Sequence, residues 1–400
     1  MESLTLYGRA FGPGALPLLR RHEKRCIRED LADFLEAWYS PSPVVEVHSS
    51  GSTGAPKALL AEKERMRASA RMTLSFLGLQ KGDSALLCMP LRYIGAKMMV
   101  VRALEGGLDL WCEEPSGHPL RGLKEPPRFL AMTPAQAVSS LEDAHEAALL
   151  RGTGQLILGG SAISAELARS LRSFPHHVWS TYGMTETLSH IALRRLSGPQ
   201  ASEWYTPFAG VGLRLTEEGC LAILAPSMCD KEIVTNDLAE LDAEGRFRIL
   251  GRRDNVINSG GIKLHIEELE ETLALPRPFW ITSVPDAHFG EAVCLLVEGK
   301  APDLAPYFAR LHPYARPKRV FFVEKLPLTG SGKPDRATAR ALARRLMEEA
   351  PASPAGIGPL CADAPAGRNH AAEAPRSAPP LPGRDRQKTQ EEHDEGSRHA

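Results

Sequence analysis

The stretch HSSGSTGAPKALL gathers four small hydroxyl residues (Ser49, Ser50, Ser52, Thr53), two glycines (Gly51, Gly54), a proline and Lys57 within residues 49–57. Such a composition suits anion binding: glycines let backbone N–H groups come close to phosphate oxygens, hydroxyls add donors and lysine adds positive charge. It is not the G-x-x-x-x-G-K-[ST] loop, because Pro56 stands where the second glycine belongs and no hydroxyl follows Lys57. A P-loop NTPase is therefore disfavoured.

Three further stretches carry groups of the same chemistry. QLILGGSAIS runs an apolar segment into Gly159, Gly160 and Ser161, where absent or small side chains leave room for a flat base against the backbone. HVWSTYGMTETLSHIAL sets Tyr182, Gly183, Thr185 and Glu186 close together, offering an aromatic face, a hydroxyl and a carboxylate. Those are parts a magnesium nucleotide needs. TNDLAELDAEGRFRILGRRDN supplies Asp237 and Arg252 on either side of a hairpin expected around AEG. Finally, LPLTGSGKPDRATARA puts Lys333 after a glycine-rich turn and before a helix, where few side chains restrain it and its amine can reach a distant site.

The elements that must position these groups alternate along the first half of the chain. Between residues 44 and 250 the short apolar runs VVEVH, SALLCMP, KMMVVRAL, RFLAMT and QLILGG are interleaved with amphipathic stretches such as EKERMRASARMTLSFL. That rhythm predicts an α/β domain with much of its sheet parallel, and such sheets place ligands at the carboxyl ends of their strands. A large N-terminal α/β domain over residues 1–250 is followed by GRRDNVINSGGIK, residues 251–263, whose charge and paired glycines break the rhythm and mark a hinge. A small α+β domain follows over 264–347, with HIEELEETLAL at helical spacing, FWITSVP, AVCLLVEG and RVFFVEKLP as strands, and DRATARALARRLMEEA as a closing helix. Residues 348–400, rich in Ala, Pro, Gly and charge, hold too few large apolar side chains to repay ordering and read as a disordered tail. No internal repeat is evident.

Composition narrows the function classes. Four hundred residues at 43% hydrophobic and 24% charged suit two or three domains with cores of their own. A formal net charge of -1 gives no global attraction to nucleic acid or anionic membrane, so phosphate binding has to be local and the partners are expected to be small molecules. Seven scattered cysteines without a C-x-x-C pair argue against a disulfide framework or structural zinc. The opening MESLTLYGRAFGPG lacks the features of a signal peptide and no run approaches the ~20 apolar residues of a membrane span, so a cytoplasmic location without membrane insertion is expected.

SSGSTGAPK, YGMTE and LPLTGSGKPDR together resemble the signature motifs of the adenylate-forming superfamily of acyl-CoA ligases, luciferases and peptide-synthetase adenylation domains, over about residues 44–345. The resemblance implies an adenylation domain over 1–250 and a mobile lid over 264–347, with ATP, Mg²⁺ and CoA as cofactor, metal and co-substrate. The 49–57 loop would hold the β- and γ-phosphates. Tyr182 would stack on adenine, Thr185 bond the α-phosphate, Glu186 ligate Mg²⁺, and Asp237, assisted by Arg252, accept the ribose hydroxyls. Asp254 falls at the hinge. Lys333 would bridge the carboxylate and the α-phosphate during adenylation; the lid would then swing to bring Gly260 and Gly261 to the pantetheine tunnel. Asn258 stands where many members carry lysine.

The phosphate loop begins near residue 49, where most members carry a hundred or more residues before it, so a shortened ligase is expected. Short forms of this kind, with MPLRYIGAKMMVVRAL and TETLSHIAL, resemble the o-succinylbenzoyl-CoA ligases of menaquinone biosynthesis. That acid carries two carboxylates, and one has to be held while the other reacts. Arg92 and Lys97 are candidate holders of the spare carboxylate or of CoA phosphates, and Ser189 and His190 candidate liners of the acyl pocket. An aryl or fatty acid is the alternative substrate. A non-catalytic nucleotide-binding relative is the alternative class, against which the joint presence of Thr185, Glu186, Asp237, Arg252 and Lys333 argues. CoA is the simpler acceptor for a chain with no carrier domain attached, and the oligomeric state is not set by any of these features.

Overall fold

The computed structural model describes residues 2–48, 58–300, 303–329 and 334–349. At the N-terminal edge, β1 (Leu4–Leu6) and β2 (Arg9–Phe11) pair antiparallel, while β3 (Val44–His48) and β4 (Ala58–Glu62) form a separate antiparallel ladder. The following strands are β5 (Ser84–Leu87), β6 (Asp109–Cys112), β7 (Phe129–Met132), β8 (Gln155–Leu158), β9 (His177–Gly183), β10 (His190–Arg195) and β11 (Thr206–Pro207). They join β1 and β2 in a nine-stranded sheet of order β11-β10-β9-β8-β7-β5-β6-β1-β2. The six strands from β9 to β1 run parallel, and only the edges are antiparallel. The expected parallel α/β sheet is thus observed.

Burial explains why these runs read as continuous apolar segments. All four residues of β7 and all four of β8 are buried, as parallel strands covered on both faces require. Successive residues serve opposite cores: Phe129 and Ala131 belong to the cluster with the helices Lys63–Leu77 and Ile94–Gly106, whereas Leu130 and Met132 join the cluster with Pro134–Glu142 and Ala165–Leu171. The strand period of two therefore makes the domain three-layered.

KMMVVRAL corrects one expectation. Counted above among the strand-like runs, it lies within the helix Ile94–Gly106, where every residue from Met98 to Leu104 is buried. A helix enclosed on all sides shows no amphipathic stripe, and a short apolar run then looks the same in either conformation.

The second half builds two smaller sheets. β12 (Gly212–Leu215), β13 (Cys220–Leu224), β14 (Ile233–Leu241) and β15 (Phe247–Arg252) form an antiparallel meander. β16 (Val256–Ser259), β17 (Ile262–His265), β18 (Phe279–Asp286), β19 (Gly290–Glu298) and β20 (Arg319–Val323) form a five-stranded sheet. One face of β18–β19 packs on the helix Ile266–Leu273 and the other on the helix Arg336–Glu349. Much of the segment 251–263 is ordered as the β16–β17 hairpin, with Gly260 and Gly261, both at positive φ, forming its turn.

Candidate active site

The turn that follows β9 is the centre of the site. Gly183 closes the strand where a side chain is excluded, since a Cβ would stand 2.3 Å from the Ser189 carbonyl oxygen and 2.5 Å from His190 Cα. The chain then folds into the turn Thr185–Thr187, which buries Thr185 and leaves Glu186 exposed. Leu188 is held at φ 62°, a conformation that costs a branched residue of order 1–3 kcal/mol. The surroundings enforce it: Thr187 Oγ1 accepts the Met184 N–H at 3.0 Å and lies 2.7 Å from the Ser189 carbonyl, and the Leu188 N–H donates to Thr185 at 2.9 Å. Thr185 and Glu186 line one side of an open cavity of about 400 Å³, which Val47, Leu59 and Arg65 border on another.

Gly159, Gly160 and Ser161 leave the carboxyl end of β8, beside the end of β9. At Gly159 a Cβ would meet Thr181 Oγ1 at 2.4 Å, so a side chain there requires that hydroxyl to move. Gly160 is exposed at φ 90°, and Ser161 is exposed. Small side chains thus sit at the strand ends where an α/β sheet receives ligands.

Tyr182 connects this region to the meander. Its hydroxyl donates to Asp237 Oδ2 at 2.6 Å, and its ring meets Phe247 edge-on with centroids 5.0 Å apart. Burial, then the Asp237 carboxylate, pushes the phenol well above its usual range, so it remains a donor. Asp237 and Arg252 are direct partners across β14 and β15, with Arg252 Nη1 3.6 Å from Asp237 Oδ1. Arg252 also forms a two-pronged bond to Asp254, 3.0 Å from Nε to Oδ1 and 3.0 Å from Nη2 to Oδ2. Burial raises the Asp254 carboxyl, but the Arg252 hydrogen bond and charge outweigh it and leave the group below its ordinary value. The resulting row Tyr182–Asp237–Arg252–Asp254 presents a fixed acceptor beside a fixed cation.

Other expected residues are placed elsewhere. Ser49, Ser50, Gly51, Ser52, Thr53, Gly54 and Lys57 lie outside the described residues, though His48 and Ala58, which flank them, are ladder partners. Lys333 also lies outside them; next to it Pro334 bridges Leu328, the Asp335 N–H donates to Pro327, and Arg336 grips Glu270 through two contacts of 2.6 Å. Lys97 donates to the Glu46 carbonyl of β3, and Arg92 is exposed over the Tyr93 ring at 4.8 Å, so neither is brought to Ser189 or His190. Gly260 and Gly261 lie on the five-stranded sheet, where the Gly260 N–H donates to the Phe289 carbonyl at 2.8 Å.

Arg102 is the residue that sequence reasoning missed. It is 1% exposed, its Nη2 donates to Ser189 Oγ at 2.6 Å, and its Nε is buried without a partner. Among the described residues no carboxylate pairs with it, and burial pushes its guanidinium down to about 9. The signal was present as a lone charge inside an apolar run. Ser189 is half-buried and His190 buried, directly after the turn.

Among the described residues, no three His, Cys, Asp or Glu side chains converge as a metal cage. Magnesium bound with a nucleotide takes one or two carboxylates and lets phosphates and water supply the rest. The exposed Glu186, next to the Thr185 hydroxyl, fits that pattern.

A largely parallel α/β sheet with a hydroxyl–carboxylate turn at the end of β9, joined through Tyr182 to an Asp–Arg pair on the neighbouring meander, is the arrangement expected of a nucleotide-binding α/β protein. The model of the AMP-binding enzyme family matches residues 29–220. The acyl-CoA synthetase (AMP-forming)/AMP-acid ligase II-like protein of Dyadobacter fermentans is 33% identical, with 82% of this chain and 97% of that one covered and a TM-score of 0.58. The chain belongs to the AMP-binding family of adenylate-forming acid-CoA ligases. A 2-succinylbenzoate-CoA ligase of Geobacillus is 23% identical over 361 residues, 80% of this chain and 73% of its own. The o-succinylbenzoate coenzyme A synthetase of Bacillus subtilis, solved with ATP and magnesium ion, shares the fold at 21% identity and a TM-score of 0.63, with 74% of this chain and 69% of that one covered.

Proposed function

We propose that this protein ligates o-succinylbenzoate to CoA in two steps. The acid's reacting carboxylate attacks the α-phosphorus of ATP, the bond to the β-phosphate breaks, and pyrophosphate leaves. The CoA thiol then attacks the acyl carbonyl and AMP departs. Thr185 donates to the α-phosphate, Asp237 accepts the ribose hydroxyls with Arg252 holding it in place, and Tyr182 contributes to the adenine site. The 49–57 loop binds the outer phosphates. Lys333 neutralises charge in adenylation and is withdrawn when residues 264–347 swing about the 251–263 segment, bringing Gly260 and Gly261 to the thiol. Bound Mg²⁺, with Glu186 as its protein ligand, would draw charge from the phosphates.

The observation that carries the choice of acid is Arg102. A buried guanidinium with one serine acceptor and no carboxylate is costly unless an anion completes it. A substrate with a second carboxylate supplies that anion, and Arg is suited to grip it on two oxygens. Relatives named as 2-succinylbenzoate-CoA ligases in Geobacillus, Listeria and Enterococcus favour the same acid.

The test is pyrophosphate release by the purified protein with Mg-ATP, using a panel of acids with and without CoA. Release selective for o-succinylbenzoate, with its CoA thioester formed, supports the proposal. Preference for a monocarboxylic fatty or aryl acid overturns the substrate, and no release with any acid favours a non-catalytic nucleotide-binding protein.

A further inference from the structure

Behind Arg102 lies a chain of hydrogen bonds whose direction is fixed at both ends. Arg102 Nη2 donates to Ser189 Oγ at 2.6 Å. Ser189 Oγ lies 3.4 Å from His190 Nδ1, and His190 Nε2 lies 3.0 Å from Thr73 Oγ1. Thr73 Oγ1 in turn donates to the Ser69 carbonyl at 3.2 Å. A guanidinium has only donors and a carbonyl only accepts. Thr73 therefore has its single hydrogen committed to Ser69, so it accepts from Nε2–H. In a neutral imidazole that leaves Nδ1 as an acceptor for the Ser189 hydroxyl, whose lone pairs then face Arg102. For the neutral ring this is the one arrangement of hydrogens that satisfies every link.

The enclosure supports this assignment. Thr73 is 0% exposed, His190 6%, and the His190 ring packs edge-on against Phe208. Burial, then the charge of Arg102, holds His190 well below its usual pKa, which keeps it neutral near pH 7. Arg102 itself has a long, rotamer-rich stem, and Ser189 is its one hydrogen-bond anchor among the described residues. With its hydrogen held by Nδ1, the Ser189 hydroxyl is fixed in rotation and its lone pairs offer Arg102 an acceptor in one set direction. We propose that Thr73 and His190 are positioning residues which, through Ser189, aim the Arg102 guanidinium at the spare carboxylate of the substrate. This rests on the reading of Arg102 given above.

The experiment varies o-succinylbenzoate in the pyrophosphate-release assay and compares it with 3-benzoylpropionate, the same acid without its ring carboxylate. Losing the two hydrogen bonds of Thr73, to His190 and to Ser69, is expected to raise KM for o-succinylbenzoate about five- to tenfold in Thr73→Val, at nearly constant kcat. Thr73→Ser keeps the hydroxyl and restores the wild-type KM. The KM for 3-benzoylpropionate stays constant across both variants. Equal shifts for both acids, or a fall in kcat alone, would mark a merely structural role and overturn the proposal. Arg102→Gln separates the two layers: if it raises the diacid KM while Thr73→Val does not, the relay fails alone; if it leaves that KM unchanged, the reading of Arg102 fails and the relay with it. The hydrogen placement is read independently of any acid from the ring-nitrogen NMR shifts of His190, assigned with His190→Gln. A neutral Nε2–H tautomer at pH 7 is expected, and the Nδ1–H tautomer or an imidazolium overturns the relay.

Discussion

Tyr182 donates its hydroxyl to Asp237 across the boundary between the nine-stranded sheet and the meander, at 2.6 Å. The bond occupies Oδ2 of the carboxylate while Arg252 faces Oδ1 at 3.6 Å. Asp237 is therefore held from two sides before any ligand arrives. Tyr182→Phe removes a hydrogen bond to a charged acceptor and should lower stability by about 1.5–3 kcal/mol, read by urea unfolding. Asp237→Ala removes the acceptor proposed for the ribose and should raise KM for ATP about tenfold or more, against a smaller rise in Tyr182→Phe. Equal effects of the two variants on ATP would argue that Asp237 serves the fold alone.

Lys333 acts, in the proposed mechanism, only while charge gathers on the α-phosphorus. Lys333→Ala should reduce pyrophosphate release by about 10²–10³-fold, as loss of a transition-state contact of this type does. Supplied with preformed acyl-adenylate and CoA, the variant should yield thioester at close to the wild-type rate. A matching loss in both half-reactions would assign Lys333 to binding or folding instead.

The two glycines at the strand ends differ in what a methyl group would strike. At Gly183 it meets backbone, 2.3 Å from the Ser189 carbonyl, whereas at Gly159 it meets one hydroxyl, Thr181 Oγ1, at 2.4 Å. Backbone has nowhere to go, so Gly183→Ala should cost about 3 kcal/mol or more. Gly159→Ala should be milder and should be rescued by Thr181→Ala, because Thr181 Cβ is 3.6 Å away, an ordinary contact. Thermal melts of the two single variants and the double variant decide this.

These sites differ in how far they could be read from the chain. β8 was legible because a parallel strand covered on both faces is largely apolar, here Leu156, Ile157 and Leu158, and the glycines after it announce its end. The Asp237–Arg252 pair was legible too, since a hairpin places the two ends of its strands opposite one another. The helix Ile94–Gly106 was not, because enclosure erased its period. Arg92 and Lys97 were visible as charges, yet nothing local reveals that Lys97 turns to a carbonyl of β3. Arg102 meets Ser189 across a separation of 87 residues, a contact that only the packing of helix on sheet creates. The helix carries Arg102, and misreading it as a strand-like run hid that residue.

His190 also gives stability a pH dependence whose sign follows from its burial. In the folded protein it resists protonation, held below its usual value first by desolvation and then by Arg102. In the unfolded chain it titrates near the ordinary histidine value of about 6.5. Between that value and the lower folded one, the unfolded state binds a proton that the native state refuses, so stability falls as pH falls through this window. One such group contributes a slope of up to about 1.4 kcal/mol per pH unit. Above pH 6.5 the contribution is constant. His177, which burial also lowers, adds to the same trend, so the comparison has to be between variants. His190→Gln removes this titration and should flatten the acid limb by the slope of one proton, in urea unfolding at pH 5.0, 5.5, 6.0 and 7.0. An unchanged slope would mean that His190 takes up its proton in the native state. The neutral imidazole that the Thr73–Ser189 relay requires would then be excluded over that range.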